Sequence, residues 1–442
     1  MDEQNHFPFV LTDEFRKLWE AANQTYVGWE DLDKFNLPVG ANKEQIWKTL
    51  TALRRHAGVC LPFRPYTPHS DGEVAWLTPP HDMDQALVLL KTQGSSRTVE
   101  YQTFAAFHES RKLSIMLNEF ITALAVDGYK IDPHEGFAKY LTQQTPHTPE
   151  ESALNTLVQA FFRTISLLDE PITPEYLDSL NALLIADEPS EESRIMLPLI
   201  ESERDKYVNK DYYTPETTKQ TICSILNDPA LNPVVAELQV KYFLVAQKPY
   251  KQLNASTALL LRRVYYEKRN IGLLANLSTL TALSQWQHKA YSLDIPSHEH
   301  TLNPHDCGEG FDATEFTYCN VLIYANELRR LQRKIAATQV SITTAREQVE
   351  ASPLLNKRQK DLINKMIENP LYNITIEQAA QMCHVSYSSA RTDLLGLVKQ
   401  GFFVLDCPDM ANQAQVFRVG PSTISLLGMS YPRVLEPQAT TD

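Results

Sequence analysis

A long stretch without glycine limits the backbone conformations open to the middle of this chain. Glycine is scarce overall, at about 3% of the 442 residues against a usual ~7%, and none of the 14 lies between Gly136 and Gly272. Loops that turn several backbone N–H groups onto a phosphate depend on glycine, because it adopts positive φ without steric cost. A phosphate-binding loop in this stretch would therefore have to form without it.

Helix signals follow one another over residues 80–335. Residues 173–175 and 214–216 both read Thr-Pro-Glu, with Thr as N-cap, Pro at the first helical position and an acid at the positive end of the helix dipole. Residues 233–247 are apolar on nearly every side, which is typical of a helix at the centre of a bundle. The sequence therefore predicts a mainly α fold built on a helical bundle.

The C-terminal part of the chain has a different rhythm. It predicts three helices, with a tight turn between the second and third, followed by a two-stranded hairpin. This order is the winged helix-turn-helix pattern. The predicted helices span residues 356–367, 375–383 and 388–399, and the predicted strands span residues 402–405 and 415–419.

Composition suggests where the domains begin and end. Four of the five tryptophans lie in the first 90 residues, which we interpret as a small Trp-rich cap domain with its own packed core. A connector rich in Thr, Ser and Glu follows the helical core. The predicted division is an N-terminal cap over 1–90, a helical core over 91–337, a connector over 338–355, a winged helix-turn-helix over 356–425 and a flexible tail over 426–442.

Charge and cysteine usage narrow the functional classes. A net charge of −13, from 41 basic and 54 acidic residues, excludes attraction of the whole chain to nucleic acid but allows a local basic face. No apolar run approaches ~18 residues, so we expect no membrane-spanning helix. The acidic start, Met-Asp-Glu-Gln, is unlike a signal peptide. The six cysteines lack a Cys-x-x-Cys motif, which predicts reduced thiols in a cytoplasmic protein.

Four segments carry motif-like patterns in a fixed order. The first is Ser96-x-x-x-Glu100, the second is the helix over 173–184, and the third covers 233–263. The fourth, residues 312–316, reads Asp-x-Thr-x-Phe and leads into a long helix before the predicted winged helix. In this order the segments resemble the Fic family, whose helical core transfers AMP from ATP onto protein hydroxyls. The resemblance implies a Fic-like helical bundle over most of the chain.

The central Fic motif reads His-Pro-Phe-x-(Asp/Glu)-Gly-Asn-Gly-Arg-x-Gly-Arg, and the resemblance aligns it with residues 248–259. At three positions of the motif the residue is the same or of the same chemical type. They are Pro249, the aromatic Tyr250 and Asn254. If the alignment does not hold, the same stretch is a loop that leads into a buried helix, with Asn254 or Ser256 as N-cap.

The motif positions that carry the chemistry are changed together. The general-base His falls on Lys248, whose ammonium is a poor base near neutral pH, and the metal-holding carboxylate falls on Gln252. The two phosphate-binding arginines fall on Ser256 and Leu259, which removes their bidentate donors. The glycines of the phosphate cradle fall on Leu253, Ala255 and Ala258. The resemblance therefore implies a scaffold without the AMP-transfer machinery, and we expect no cofactor.

The inhibitory-helix segment departs from the family as well. The family pattern is Ser-x-x-x-Glu-Gly, whereas Tyr101 follows Glu100 here. In the family this glutamate pairs with the second motif arginine, and that position is Leu259. We interpret Ser96 and Glu100 as a relic or as local helix groups. An active transferase that uses a Lys248 nucleophile of lowered pKa is the alternative.

The predicted winged helix makes DNA a candidate partner. Small polar side chains at the start of its third helix suit contacts with base edges. Residues 351–442 nevertheless hold 8 Lys+Arg and 8 Asp+Glu, so a protein-contact role is the alternative, and dimerisation would strengthen weak DNA binding. The base-reading candidates are Tyr387, Ser388, Ser389, Arg391 and Thr392. The phosphate candidates are Lys399 and Arg418, with Lys357, Arg358 and Lys360.

Two further clusters are weaker candidates for binding. His298, His300, His305 and Cys307 supply four zinc donors within ten residues, but their spacing is not that of a zinc finger, and we interpret the segment as a His-rich loop. Basic residues at 262–263 and 268–269 could add positive surface.

The sequence as a whole favours a non-catalytic Fic-like pseudoenzyme that acts as a regulator or scaffold. We expect it to associate with DNA through the winged helix, to have a protein partner, to form a homodimer if DNA binding requires one, and not to bind membranes. The alternatives are a protein adenylyltransferase with a remodelled site and a protein-interaction module that does not bind DNA.

Overall fold

The computed structural model describes residues 8–63, 74–131, 148–185, 214–287, 312–370, 372–406 and 415–428. These residues are mainly helical, as predicted, and their strands are short. Chain contacts divide them into two compact units. The first unit draws on residues 1–98, 122–130 and 156–329, and the second draws on 99–121, 131–155 and 330–442. The domain boundaries inferred from composition remain a prediction.

The first elements of the chain share a small apolar core. α1 (Asp13–Gln24) begins at the N-cap Thr12, and α2 (Lys43–Ala57) begins at a capping box formed by Asn42 and Gln45. β1 (Val59–Cys60) pairs with β2 (Trp76–Leu77) in an antiparallel ladder. The core that these helices bury includes Phe15, Leu18, Leu32, Ile46 and Leu50.

The helices of the bundle follow. Both predicted Thr-Pro-Glu helix starts are present, because the hydroxyls of Thr173 and Thr214 accept hydrogen bonds from the N–H groups of Tyr176 and Thr217. The helices are α3 (His81–Gln93), α4 (Val99–Ala106), α5 (Glu109–Val126), α6 (Pro149–Arg163), α7 (Pro174–Ile185), α8 (Pro215–Asn227), α9 (Pro233–Tyr242), α10 (Asn254–Lys268), α11 (Thr279–Gln287) and α12 (Thr314–Ala351).

Two of these helices are buried on all sides. Every residue from Val234 to Lys241 in α9, and from Asn254 to Tyr266 in α10, is buried. A helix in this position must satisfy its polar side chains internally. Glu237 does so by accepting hydrogen bonds from the hydroxyls of Tyr266 and Tyr324, at 3.1 and 2.8 Å. The α-helix predicted to end at residue 247 ends at Tyr242, and a π-helical turn follows it.

The long helix α12 continues beyond its predicted end. The sequence predicted that the helical core ends at residue 337 and that a connector spans 338–355, yet α12 runs to Ala351. Ile342, Ala345 and Val349 are 8%, 0% and 2% exposed and recur at helical spacing. Thr and Ser disfavour helix by only tenths of a kcal/mol each, so burial of this apolar stripe outweighs them. The predicted connector is mostly helical.

The C-terminal elements agree with their predicted order and lie within one residue of their predicted ends. They are α13 (Lys357–Glu368), β3 (Ile374–Thr375), α14 (Ile376–Cys383), α15 (Tyr387–Lys399), β4 (Phe403–Asp406), β5 (Val416–Val419) and α16 (Pro421–Leu426). The sequence did not predict β3 or α16, which are too short to show a period. The sheet order is β3-β5-β4, with Phe417 opposite both Ile374 and Leu405.

The chain is packed for slightly longer than predicted after β5. Leu427 is 4% exposed, and its carbonyl accepts a hydrogen bond of 2.6 Å from Ser341 Oγ. The flexible tail was predicted to start at residue 426, but Leu427 is therefore held against α12. Residues after 428 lie outside the described part of the chain.

Candidate functional site

The segment aligned with the Fic motif is a turn closed by its own asparagine. Asn254 Oδ1 accepts a hydrogen bond from the Tyr250 N–H at 3.0 Å, and Asn254 Nδ2 donates to the Tyr250 carbonyl at 2.9 Å. Lys248 and Leu253, at φ of 45° and 62°, are both in the left-handed region, where a side chain costs energy that glycine would not. Asn254 therefore holds a strained loop in shape.

The first turn of α10 receives a carboxylate from elsewhere in the chain. Asp127 Oδ1 accepts from the Ala255 N–H at 2.9 Å, and Asp127 Oδ2 accepts from the Ser256 N–H at 2.9 Å and from Ser256 Oγ at 2.7 Å. The N-terminus of a helix attracts anions because its first N–H groups have no helical partner. Asp127 is thus an internal anion at this position, and neither Asn254 nor Ser256 is the N-cap that the sequence suggested.

The end of α5 aims Asp127 at this turn. Gly128 adopts a φ of 99°, and the Tyr129 N–H donates to the Leu124 carbonyl at 2.9 Å, which is the Schellman pattern that ends many helices. Burial raises the pKa of the Asp127 carboxyl from 3.8 to about 6, against the opposing effects of its hydrogen bonds and of Lys248. Desolvation therefore outweighs three hydrogen bonds, although those bonds favour the charged form.

The depression beside this carboxylate is small. Its accessible volume is about 30 Å³, which suffices for one or two water molecules, whereas small-molecule sites usually enclose ~300 Å³ or more. Its lining includes Asp127, Lys248, Lys251, Gln252 and Asn254.

The loop is also held from its other side by α7 and α8. Asn181 Nδ2 donates to Thr257 Oγ1 at 2.9 Å and to the Gln252 carbonyl at 3.3 Å. The Lys219 ammonium lies 6.0 Å from the centre of the Tyr250 ring and pairs with Asp178 at 3.1 Å. Burial beside Asp178 raises the pKa of the Tyr250 hydroxyl. Asn181 thus has a packing role.

The remaining motif positions are absorbed into the fold. Leu259 is 1% exposed and Ser256 is fully buried. Pro249 is buried, while Lys248 and Gln252 are half-buried. These positions lie in the loop before α10 and in its first two turns, but the residue that engages the N–H groups there is Asp127. In the sequence, Asp127 and Gly128 are recognisable only as residues typical of a helix end. That local pattern does not predict a contact with Ala255, which is 128 residues away.

The two residues of the inhibitory-motif segment have local roles. Ser96 Oγ accepts from the Gly272 N–H at 2.9 Å, and the Ser96 N–H donates to the Asn270 carbonyl at 3.0 Å. Glu100 lies in the first turn of α4, where an acid favours the helix dipole. These contacts fit the interpretation of both as structural groups.

The basic residues expected to add positive surface are mostly engaged internally. Arg262 and Arg263 are 2% and 7% exposed. Arg262 donates to the Leu277 carbonyl at 2.9 Å, and Arg263 lies 4.4 Å over the Phe161 ring. The expectation of a basic surface at 262–263 is wrong, because α10 is central and its cations are paired inside the bundle.

The predicted base-reading helix α15 has one exposed and one buried face. Tyr387, Ser388, Arg391 and Thr392 are exposed, Ser389 is half-exposed, and Ala390, Leu394 and Leu397 are buried. Of the phosphate candidates, Lys399 and Lys357 are exposed, and Arg358, Lys360 and Arg418 are half-exposed. α15 is therefore amphipathic.

Asp393 anchors this helix to α13. It is 5% exposed, and it accepts hydrogen bonds from Asn356 Nδ2 at 2.9 Å and from Arg358 Nε at 2.7 Å. Arg358, a predicted phosphate contact, is thereby paired within the protein.

The candidate metal site, the cysteines and the absence of a membrane-spanning helix were the remaining expectations from the sequence. The predicted metal donors His298, His300, His305 and Cys307 lie outside the described residues, and the described residues contain no metal-binding cluster of three or more His, Cys, Asp or Glu. Four cysteines among the described residues are free thiols. Within the described ranges, no helix is long and apolar enough to cross a membrane.

Comparison with known proteins gives a coarse structural likeness. No family model matches the chain, and no curated protein matches it. Among solved structures, the chain is similar to a Fic family protein from Desulfovibrio desulfuricans G20. The two share 12% sequence identity, with a TM-score of 0.41 over 81% of this chain and 98% of the other. A likeness of this degree does not establish a common fold or activity.

Proposed function

We propose that this chain is a non-catalytic, Fic-like regulator or scaffold that associates with DNA through a C-terminal winged helix-turn-helix. One observation supports the non-catalytic part most strongly, namely the position of Asp127 against the first turn of α10. Under the Fic alignment, that turn corresponds to the phosphate cradle. A nucleotide phosphate would have to displace a carboxylate that already uses the same N–H groups.

The neighbouring residues point in the same direction. A general base is needed to remove the proton of a target hydroxyl, and Lys248 is a cation with Asp127 as a nearby anion. Leu259 stands where a phosphate-binding arginine would be, and it is buried. These features agree with a pseudoenzyme and give no support to the remodelled transferase.

Calorimetric titration with ATP and Mg²⁺, up to millimolar nucleotide, tests this part. We expect no binding heat from the wild type or from Glu100→Gly. The Glu100→Gly variant serves as the control, because it removes the group that would inhibit a functional Fic site. Binding in the low micromolar range, tightened by Glu100→Gly, would contradict the proposal and favour the adenylyltransferase.

The DNA-binding part rests on the architecture of residues 356–426. The elements follow one another as α13, β3, α14, α15, β4 and β5. This is the order of helices and strands in winged-helix domains. The third of these helices, α15, exposes polar side chains at its N-terminal end, the end that meets base edges in such domains.

Fluorescence anisotropy with duplex DNA tests this part. We expect binding that weakens steeply between 50 and 200 mM salt, because each phosphate contact releases a counterion. Lys399→Ala should reduce the slope of log affinity against log salt by about one. Lys91→Ala, on the exposed side of α3, should leave the slope unchanged.

A second candidate is a winged helix that contacts protein and not DNA. The observation that favours it is that cations suited to phosphate are engaged internally. Arg358 pairs with Asp393, and Lys360 Nζ donates to the Glu350 carbonyl. No measurable affinity for DNA in the anisotropy experiment would select this candidate.

A further inference from the structure

The solvent-exposed side chains of α15 differ in how many hydrogen-bonding groups they have available for a partner. Tyr387 and Arg391 are four residues apart, as are Ser388 and Thr392, so each pair shares a helix face. Ala390 and Leu394 point inward and are 2% and 0% exposed. A partner that approaches α15 from solvent therefore meets these four exposed side chains first.

The hydroxyl groups on this helix are largely used by the helix itself. Ser389 contributes its N–H and Oγ to contacts with the N-cap Ser386, at 3.2 and 3.0 Å. Thr392 Oγ1 donates to the Ser388 carbonyl at 3.0 Å. A hydroxyl that keeps such a bond has only its lone pairs left for a ligand. Two of the five predicted base-reading residues are thus weakened in that role.

Arg391 is different. It is exposed, and among the described residues no hydrogen bond or ion pair involves its guanidinium. It lies in the second turn of α15, and the side chains around it on that face are neutral. Its planar fork can present two parallel donors, which matches the O6 and N7 acceptors of guanine in the major groove.

We infer that Arg391 is the main specificity-determining residue of this unit and that it selects a G·C pair. This inference rests on the proposed DNA binding. Lys399, two turns further along α15 and about 12 Å away, is exposed as well. Its position at the far end of the helix makes it a backbone contact, which strengthens binding without selecting sequence.

The test begins with selection from a random duplex library by the full-length wild type. The selected duplex is then compared with duplexes in which each G·C pair is replaced in turn. We expect one replacement to weaken wild-type binding by about 5- to 150-fold. Arg391→Ala should lose that discrimination.

Two matched variants separate base reading from charge. Arg391→Lys keeps the charge but loses the fork, so its salt slope should equal that of the wild type while its discrimination falls. Lys399→Ala should show the reverse, with a shallower salt slope and unchanged discrimination.

The possible failures are distinguishable. If the variants of Arg391 select the same sequence with the same discrimination as the wild type, the inference is overturned while DNA binding stands. If the wild type binds every duplex equally, the inference is likewise overturned. If the wild type shows no salt-dependent binding, both the inference and the proposed DNA association are overturned, and a protein partner is the remaining occupant of this face.

Discussion

At the scale of single residues, one carboxylate defines the candidate site. Asp127 accepts hydrogen bonds from the Ala255 and Ser256 N–H groups in the first turn of α10, and Asn254 closes the loop beside it. Under the Fic alignment, the residues at positions 248, 252 and 259 lack the groups that AMP transfer requires, so the sequence predicted an inactive site. Asp127 adds a group that would compete with a nucleotide, because it supplies the negative charge that the helix N-terminus attracts.

The pH dependence of stability should report Asp127. Burial raises its pKa to about 6 from 3.8, so between about pH 4 and pH 6 the folded state binds more protons than the unfolded chain. The free energy of unfolding contributed by this group therefore rises as the pH falls through that window. Relative to Asp127→Asn, the wild type should gain about 2 kcal/mol between pH 7 and pH 4.5.

Urea unfolding at the two pH values measures this gain. Asp169→Asn, at an exposed position, controls for the general effect of removing a carboxylate and should change with pH as the wild type does. Parallel behaviour of the wild type and Asp127→Asn would show that burial does not govern the titration of this carboxyl.

At the scale of elements, the helices whose ends carry side-chain caps were predicted best. Thr173, Thr214 and Asn356 all accept hydrogen bonds at the starts of helices that the sequence predicted, and such residues indicate a helix start by local chemistry alone. α12 was predicted too short, because its C-terminal part is rich in residues of low helix propensity and depends on burial.

A buried charge in the C-terminal part of α12 should test that dependence. Ala345 is 0% exposed, whereas Val340 is 64% exposed. We expect Ala345→Glu to lower the free energy of unfolding by about 3 kcal/mol, because the carboxylate would be buried without a partner.

Val340→Glu is the matched control, with the same substituent on the exposed side of the same helix, and it should change stability by about 0.5 kcal/mol or less. Thermal unfolding followed by circular dichroism measures both variants. Equal melting temperatures for the two would mean that residues 338–351 form a connector that is not packed, as the composition suggested.

At the scale of the whole molecule, the two compact units are not two successive halves of the sequence. The second unit joins residues 99–121 to the C-terminal region that begins at residue 330. Within it, Arg111 is 4% exposed, and its Nη2 donates to the Ile367 carbonyl at 2.7 Å. That carbonyl is one of the last in α13, where a cation is favourable. Burial lowers the pKa of the Arg111 guanidinium to about 10.

Arg111→Met should therefore destabilise the protein although it lies 256 residues from its acceptor in sequence. Methionine keeps much of the apolar contact but loses a charged hydrogen bond, which is worth about 2 kcal/mol. Urea unfolding measures the loss, and Arg97→Met, at an exposed position, should be neutral. Equal free energies of unfolding for the two variants would show that the Arg111 hydrogen bond does not stabilise the protein.

Local chemistry determined much of this protein. Apolar periodicity predicted many of the helices, and capping residues predicted where several of them begin, because both act within a few residues. The departures from the Fic motif could likewise be predicted from the sequence under the proposed alignment, since they depend only on residue identity.

Tertiary structure decided what these elements meet. Four features depend on packing between distant parts of the chain. They are the hydrogen bonds of Asp127 to α10, the internal contacts of Arg262 and Arg263, the length of α12 and the hydrogen bond from Arg111 to α13. Such contacts depend on how helices are arranged in three dimensions, and burial then changes their energies. A carboxylate or a guanidinium looks the same in a sequence whether water or protein surrounds it.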